Sequence, residues 1–244
     1  MTKTDLAGKV AIVTGGSKGY GSGIAASLKR KGTQVWITGR DRAALANMAN
    51  RLGVHWFRAD VTSAADWDAL FDKVVGTAGQ LDILVNNAGG GIRIAHLTEM
   101  SDDQVAQSIA VNLTGAILGC QRAARVMTRQ GSGTIINVSS ICQSYAWPGW
   151  SVYSAAKAGL AHFSTCLYTE LRDQGVRVTN LVPSWGATEF LHAAHLPAFD
   201  RETEARCIQP DDLGELVVTI CELPPHLEMQ AVTLWPMVQK VEPM

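Results

Sequence analysis

The chain has 244 residues, of which 47% are hydrophobic and 18% charged, a balance that excludes a disordered chain and is typical of a globular protein with one core. Its formal net charge of −1 at pH 7 excludes a nucleic-acid surface built on excess positive charge, so we expect a small-molecule partner and no nucleic acid. The five scattered cysteines form no disulfide framework and indicate a reducing compartment. The N-terminus is polar, and no apolar run is long enough to span a membrane. Together with the cysteines, these features predict a cytoplasmic protein without a membrane partner.

Short runs rich in valine and isoleucine predict β-strands at residues 9–14, 34–38, 54–59, 81–86, 134–138, 176–182 and 231–235. Helix-length stretches lie between them, at residues 24–31, 43–52, 64–75, 102–129 and 151–174. The strand runs are hydrophobic throughout rather than alternating, which is typical of parallel strands covered on both faces. This order predicts an α/β fold: one doubly wound domain over residues 1–244, with a seven-stranded, mainly parallel sheet, helices on both faces and a ligand at the carboxyl ends of the strands.

A glycine-rich loop follows the first predicted strand. It reads Thr14-Gly15-Gly16-Ser17-Lys18-Gly19-Tyr20-Gly21 and leads into a predicted helix. Glycines at these positions allow a tight turn in which backbone N–H groups and the helix N-terminus approach a pyrophosphate. We therefore expect a dinucleotide site that includes Gly15, Ser17, Lys18, Gly19, Tyr20 and Gly21. Tyr20 is the unusual member, because a smaller aliphatic residue is expected there.

The residues at the end of the second predicted strand indicate which dinucleotide is bound. It carries no acidic residue to accept a hydrogen bond from a ribose 2′-hydroxyl, and Arg40 follows instead. Arg40 and Lys18 together can hold a 2′-phosphate, so the sequence favours NADP over NAD. The alternative is that Arg40 pairs with Asp41 at the surface.

Tyr153-Ser-Ala-Ala-Lys157, with Ser140 thirteen residues before the tyrosine, predicts a proton-transfer site. A phenol titrates near ~10 in isolation, and a lysine one helical turn away lies on the same face, where it favours proton exchange near neutrality. The six histidines show no metal-ligand spacing, and Cys142 has no neighbour that would activate a thiolate. We therefore expect no metal in the mechanism.

These motifs resemble the classical short-chain dehydrogenase/reductase family over essentially the whole chain, which implies a Rossmann-type domain. The glycine loop resembles the family's T-G-x-x-x-G-x-G, Asn86-Asn87-Ala88-Gly89 its N-N-A-G, and Asp60-Val61 the pair that contacts adenine. The resemblance adds to the expected cofactor site Arg40, Asp60, Val61, Asn87, Ala88, Gly89, Tyr153, Lys157, Pro183 and Thr188.

The resemblance also implies catalytic roles for Asn112, Ser140, Tyr153 and Lys157. Tyr153 would protonate a carbonyl oxygen or accept the alcohol proton, and Ser140 would hydrogen-bond that oxygen. Lys157 would bind the nicotinamide ribose and lower the pKa of Tyr153, while Asn112 would hold a water that links Lys157 to solvent. Taken singly, Ser140 also fits a strand cap, Asn112 a helix break and Tyr153 core packing.

The substrate pocket is expected to include Ser140, Tyr153, Arg93, Gln143 and Trp185, with an aromatic wall drawn from Tyr145, Trp147, Trp150, Trp185 and Phe190. Arg93 is a candidate for binding an anionic group, although a solvated loop arginine fits equally well. Gln143 and Ser184 replace glycines that are common in the family. The irregular segment 185–209 is predicted to be a substrate lid, or else a helical excursion packed on the core.

The closing stretch, with Pro224-Pro225, Leu234-Trp235-Pro236 and Gln239, is similar to NADP-dependent members that act on small hydroxy acids, serine-like alcohols and carbonyls. The resemblance thus implies an NADP(H)-dependent oxidoreductase for a small aldehyde, ketone or secondary alcohol. The alternatives are a 3-oxoacyl (carrier protein) reductase, a non-catalytic NADP-binding sensor, and an isomerase, dehydratase or epimerase that oxidises transiently. The long helices at 102–129 and 151–174 favour a homodimer or homotetramer.

Overall fold

The predicted strands form one parallel sheet. A computed structural model describes residues 3–240 of the chain. In this part the strand order is β3-β2-β1-β4-β5-β6-β7, and every neighbouring pair is parallel. The strands are β1 (Val10–Thr14), β2 (Gln34–Gly39), β3 (His55–Arg58), β4 (Ile83–Asn86), β5 (Gly133–Val138), β6 (Val176–Pro183) and β7 (Ala231–Leu234).

Helices connect the strands and cover both faces of the sheet, which confirms the predicted doubly wound α/β architecture. They are α1 (Gly19–Arg30), α2 (Arg42–Leu52), α3 (Ala64–Ala78), α4 (Asp102–Ile109), α5 (Gly115–Gln130), α6 (Ser151–Leu171), α7 (Phe190–Ala193), α8 (Arg201–Arg206) and α9 (Pro210–Cys221). Among these helices, none is long and apolar enough to cross a bilayer.

The hydrophobic core lies in two layers, one on each face of the sheet. Along β1, Ala11 and Val13 face the layer formed with α1, α2 and α9, whereas Val10 and Ile12 face the layer formed with α3, α5 and α6. Because side chains alternate between the faces of a strand, a strand covered on both faces needs apolar residues at every position. All five residues of β1 are accordingly buried.

The stretch predicted as one helix at 102–129 contains a π-helical turn, Ala110–Thr114, between α4 and α5. Asn112 lies in this turn, and its Nδ2 donates to the carbonyl of Ser108 at 3.0 Å. Gly115 then passes close to Val61, where a Cβ would lie 3.0 Å from both Cγ2 and the carbonyl oxygen of that residue. A π turn inside a helix often marks a functional site.

Helix α9 was not among the predicted helical stretches. It begins with Pro210, carries Asp211 and Asp212 in its first turn and buries Leu213 and Val217, which are ordinary signals of a helix start and an apolar face. It packs closely on α1, and a Cβ on Gly23 of α1 would lie 2.1 Å from the carbonyl oxygen of Pro210.

Candidate active site

The candidate site lies where the carboxyl ends of the central strands meet. Because neighbouring strands are parallel, the loops after β1, β4, β5 and β6 emerge at the same edge of the sheet. β1 lies between β2 and β4, so the strand order reverses beside it. In open α/β sheets, ligands bind in the crevice at such a switch point.

The glycine-rich loop is locked against the loop after β4. Gly15 has a φ of 65°, and a Cβ there would lie 3.0 Å from Asn87 Nδ2. A Cβ on Gly21 would lie 2.2 Å from the carbonyl oxygen of Gly15. Asn87 Nδ2 donates to the Thr14 carbonyl at 2.8 Å, and Thr14 Oγ1 accepts from the N–H groups of Asn87 and Ala88 at 3.0 and 2.9 Å. The backbone is therefore held in a shape that requires these glycines.

No role was predicted for Thr14 from the sequence. Its hydroxyl, buried at the end of β1, is the group that joins the two loops. A hydroxyl residue that ends an otherwise apolar strand is the signal that points to such a lock.

The N-terminus of α1 completes this cradle. The helix begins at Gly19, its N-cap residue Lys18 makes no side-chain capping bond, and the first turn has no acidic residue. The free N–H groups and the helix dipole favour an anion here. Ser17 and Tyr20 are half-buried beside it.

Segment 185–209 reaches the cradle from the other side. Lys18 Nζ lies 3.3 Å from Glu189 Oε2, and both side chains are mostly exposed, so this ion pair is weak. A Cβ on Gly19 would lie 3.4 Å from Thr188 Cβ. Lys18 thus pairs with this segment, and its predicted role beside Arg40 in holding a 2′-phosphate stays a prediction.

Arg40 follows β2 and stands near Asp60, which follows β3. Burial tends to raise the pKa of Asp60, but the hydrogen bonds from Thr62 and the charges of Arg40 and Arg58 outweigh it and lower that pKa. Asp41 caps α2 through its carboxylate, and among residues 3–240 no ion pair joins it to Arg40. Arg40 is exposed, so its guanidinium can reach a ligand.

Ser140, Tyr153 and Lys157 meet at the end of β5. Tyr153 and Lys157 are 7% and 4% exposed, and Lys157 Nζ lies 5.8 Å from the centre of the Tyr153 ring. Lys157 Nζ donates to the carbonyl of Val138 at 2.9 Å. Ser140 Oγ accepts from the Cys142 N–H at 3.2 Å, and Ser140 acts to lower the pKa of the Tyr153 phenol. The structure therefore brings this predicted trio together.

The pKa shifts of this trio differ from the predicted lowering at Tyr153. Burial raises the pKa of Tyr153 above its usual range and Cys142 adds to the rise, while the hydrogen bond of Ser140 opposes it. Burial also lowers the pKa of Lys157 from 10.5 to about 8. A site closed to water favours the neutral forms of both groups.

Asn112 is tied to the loop after β4. Its Nδ2 donates to the Gly90 carbonyl at 2.9 Å, and its Oδ1 accepts from the Gly90 N–H at 2.9 Å. A Cβ on Gly89 would lie 2.9 Å from Asn112 Oδ1 and 3.4 Å from Lys157 Nζ. Asn112 and Lys157 therefore meet across Gly89, and the predicted water link between them stays a prediction.

Two residues of the predicted aromatic wall cover the phenol. The rings of Trp150 and Phe190 lie 5.7 and 5.6 Å from the Tyr153 ring, and they stack on each other at 6.1 Å. A Cβ on Gly91 would lie 2.6 Å from Ala194 Cβ. Helix α7 thus rests on the loop after β4 and shields Tyr153 from water.

Three of the residues predicted to contact substrate lie in different surroundings in the structure. Arg93 lines a cavity of about 350 Å³ that Trp150 also borders. Gln143 Oε1 accepts from Asn180 Nδ2 on β6 at 3.0 Å, which turns it toward the sheet. The Trp185 ring lies 4.8 Å from Phe199 and is 38% exposed. The cavity is lined by Arg93, Ile94, Ala95, His96, Glu99, Pro148, Gly149, Trp150, Ala194, His195 and Leu196.

The turn after β6 is held by the C-terminal part of the chain. Pro183 pairs with Leu234 of β7, and the Ser184 N–H donates to the Leu234 carbonyl at 3.0 Å. The Gln239 side chain accepts from Ser184 Oγ and from the Trp185 N–H, the latter at 3.3 Å. Ser184 therefore does more than replace a glycine, because it anchors the turn.

The described residues contain no group of three or more His, Cys, Asp or Glu side chains suited to a metal ion. Comparisons with known proteins identify relatives that match most of the chain. A model of the family described as short chain dehydrogenase matches residues 9–196. An uncharacterized oxidoreductase of Staphylococcus aureus (strain USA300) is 33% identical over 236 residues, which cover 96% of this chain and 99% of that protein.

Two solved structures share the fold. The closed form of serine dehydrogenase complexed with NADP+ matches with a TM-score of 0.88 and 27% identity, over 96% of this chain and 98% of that one. The 3-ketoacyl-(acyl-carrier-protein) reductase from Brucella melitensis complexed with NADH matches with a TM-score of 0.86 and 28% identity, over 94% and 97%.

Proposed function

Because this chain belongs to the short-chain dehydrogenase family of oxidoreductases, we propose that it transfers a hydride between NADP(H) and a small aldehyde, ketone or secondary alcohol. The observation that carries the proposal is the meeting of Ser140, Tyr153 and Lys157 in a water-shielded pocket beside the glycine cradle. Neither feature alone implies the reaction. Together they offer a proton donor next to a site for a dinucleotide.

The residues present fit a dinucleotide. The cradle has no room for side chains at Gly15 and Gly21, and the uncapped N-terminus of α1 suits a pyrophosphate. In the proposal Ser17, Lys18, Gly19 and Tyr20 complete the phosphate site, Asp60 and Val61 hold adenine, Asn87, Ala88 and Gly89 border the ribose with Lys157, and Pro183 and Thr188 meet the nicotinamide.

Arg40 supports NADP over NAD. No acid follows β2 where a ribose 2′-hydroxyl needs a partner, and the exposed guanidinium can bind a 2′-phosphate. The solved serine dehydrogenase holds NADP+, while the ketoacyl reductase holds NADH. We propose NADP rather than NAD because of Arg40.

A bound nicotinamide supplies the hydride. Tyr153 donates its phenolic proton to the carbonyl oxygen as the carbon is reduced, and Ser140 hydrogen-bonds that oxygen. The protonated Lys157 then returns a proton to Tyr153, which balances the step. In the oxidative direction the protons move the opposite way.

The substrate we propose is small and carries an anionic group such as a carboxylate. A cavity of about 350 Å³ suits a small molecule, and Arg93, His96 and His195 outnumber Glu99 among its ionisable lining residues. A second candidate is a 3-oxoacyl thioester, favoured by the similarity to the ketoacyl reductase. Segment 185–209 would act as the lid, since α7 already covers Tyr153.

The proposal also includes a cytoplasmic enzyme that assembles as a homodimer or homotetramer. Leu118 of α5 and Phe163 and Tyr168 of α6 are only partly buried within the chain, and a second copy would cover them further. Light scattering of the purified protein measures this directly, and a monomer at assay concentration would contradict it.

The function is tested by following NADPH absorbance with a panel of small aldehydes, ketones, keto acids and acyl thioesters. We expect turnover that Tyr153→Phe reduces by about 10³-fold or more, because it removes the proton donor. Tyr168→Phe is the matched control, since it keeps the ring of Tyr168, which packs beside Arg172 outside the trio. Tight NADPH binding without turnover across the panel would instead support the sensor.

A further inference from the structure

Tyr20 and Gly186 occupy one another's space. The three heavy atoms nearest to a Cβ built on Gly186 all belong to Tyr20: the hydroxyl oxygen at 2.0 Å, Cζ at 2.4 Å and Cε1 at 3.1 Å. The Tyr20 hydroxyl also points to the Ser184 carbonyl at 3.5 Å, which is a long hydrogen bond. The ring therefore fits here only because residue 186 has no side chain.

Gly186 lies at the base of segment 185–209. It forms a parallel bridge with Ile208, the Ala187 N–H donates to the Ile208 carbonyl at 2.9 Å, and the Ile208 N–H donates to the Trp185 carbonyl at 3.0 Å. The two ends of the segment thus meet beside Tyr20. The body of Tyr20 packs in turn on the core layer that contains Ile208.

Burial raises the pKa of Tyr20, and the neighbouring Cys207 and Asp212 add to the rise. The phenol therefore stays protonated and remains a donor. The two residues before Tyr20 in the loop also contact the segment: Lys18 pairs with Glu189, and Gly19 lies beside Thr188. Lys18, Gly19 and Tyr20 thus face Glu189, Thr188 and Gly186, so the two segments run in opposite order.

We propose that Tyr20 is a positioning residue that fastens the base of segment 185–209 to the phosphate loop, so that the order of the segment and the affinity for NADP(H) are coupled. The inference rests on the proposed function in that NADP(H) is the ligand. It explains why a large aromatic residue stands where a smaller aliphatic one is expected: the ring spans the gap that Gly186 leaves.

The test compares wild type, Tyr20→Ile, Gly186→Ala and the double variant. Hydrogen exchange of peptides covering 184–190 is measured without cofactor, and the NADPH dissociation constant is measured by fluorescence titration. We expect Tyr20→Ile to speed exchange of this segment and to raise the dissociation constant about 10-fold, with the KM for the carbonyl substrate changed less than about twofold. Gly76→Ala is the matched glycine control, since nothing lies within 4 Å of a Cβ there.

The double variant gives the sharper readout. In wild type, Gly186→Ala meets the Tyr20 ring and should weaken NADPH binding about 10-fold or more, whereas after Tyr20→Ile the same change should cost less than about twofold. If Gly186→Ala unfolds the protein, recovery of folding in the double variant shows the same contact.

Equal costs of Gly186→Ala in both backgrounds would overturn the proposal, as would unchanged exchange and NADPH affinity in Tyr20→Ile. A wild-type protein that binds no NADPH would overturn the proposed function and the coupling with it. Normal binding and turnover in Tyr20→Ile would remove only the role of Tyr20.

Discussion

If the proposed reaction is carbonyl reduction, its pH dependence should be set by Lys157 rather than by Tyr153. Burial raises the pKa of Tyr153, so the phenol keeps its proton throughout the neutral and mildly alkaline range. Burial lowers the pKa of Lys157 to about 8. Reduction consumes a proton that Lys157 resupplies, so activity should fall as Lys157 loses its charge.

The magnitude follows from that pKa. With a value of about 8, Lys157 is protonated in roughly nine-tenths of molecules at pH 7 and in roughly one-tenth at pH 9. We therefore expect kcat/KM for NADPH, which reports the groups of the free enzyme, to fall about tenfold between these pH values. The oxidative rate should rise over the same interval.

The assay measures initial rates of NADPH consumption from pH 6.5 to 9.5 at constant ionic strength, with circular dichroism to confirm that the fold persists. Lys157→Arg serves as the comparison, because a guanidinium keeps its charge over this pH range. The activity that remains in this variant should therefore depend little on pH. A reduction rate that stays level from pH 7 to 9 in the folded wild type would refute the reasoning.

Three substitutions test neighbouring parts of the site. Arg40→Gln should lower kcat/KM with NADPH about 10- to 100-fold and leave kcat/KM with NADH within about threefold, because a charge-assisted bond to the 2′-phosphate is lost. Arg51→Gln on α2 is the control. Equal losses with both cofactors would contradict the assignment of Arg40 to the 2′-phosphate. Arg93→Ala should raise KM about 10-fold for keto acids but not for uncharged ketones, with Arg129→Ala as control, and an unchanged KM for every acid would remove Arg93 from the pocket. Lys157→Met should abolish activity yet stabilise the fold by about 3 kcal/mol at pH 7, since the drop in pKa from 10.5 to about 8 measures the cost of the buried charge. Thermal melts should show that this gain in stability shrinks as the pH rises from 8 to 10.5. A gain that is independent of pH would contradict its electrostatic origin.

The sheet could be predicted from the sequence because its signals are local. A strand such as β1, covered on both faces, is apolar at every position but its last, Thr14, and that pattern is visible without any tertiary information. The glycines at 15 and 21 are likewise predictable in type, although only the structure shows that the carbonyl of Gly15 and the side chain of Asn87 are what exclude a Cβ.

Side-chain direction after a strand could not be predicted in the same way. Gln143 and Trp185 follow β5 and β6 on the expected loops, yet Gln143 turns to Asn180 and Trp185 to Phe199. These choices depend on contacts between segments far apart in sequence. Arg93 borders the cavity beside Trp150, and its predicted contact with the substrate stays a prediction.

The sign of the Tyr153 shift is the most informative departure. In solution a phenol and an ammonium have ordinary pKa values close together, near ~10 and ~10.4, so either group is an equal candidate to release the proton first. In the closed pocket formed by Trp150, Phe190 and the strand ends, burial raises one pKa and lowers the other. Lys157 therefore loses its proton before Tyr153 does. In the proposed reaction, this order would make Tyr153 the group that holds the proton for the carbonyl and Lys157 the group that resupplies it, because a relay must be the more acidic of the two to refill its partner.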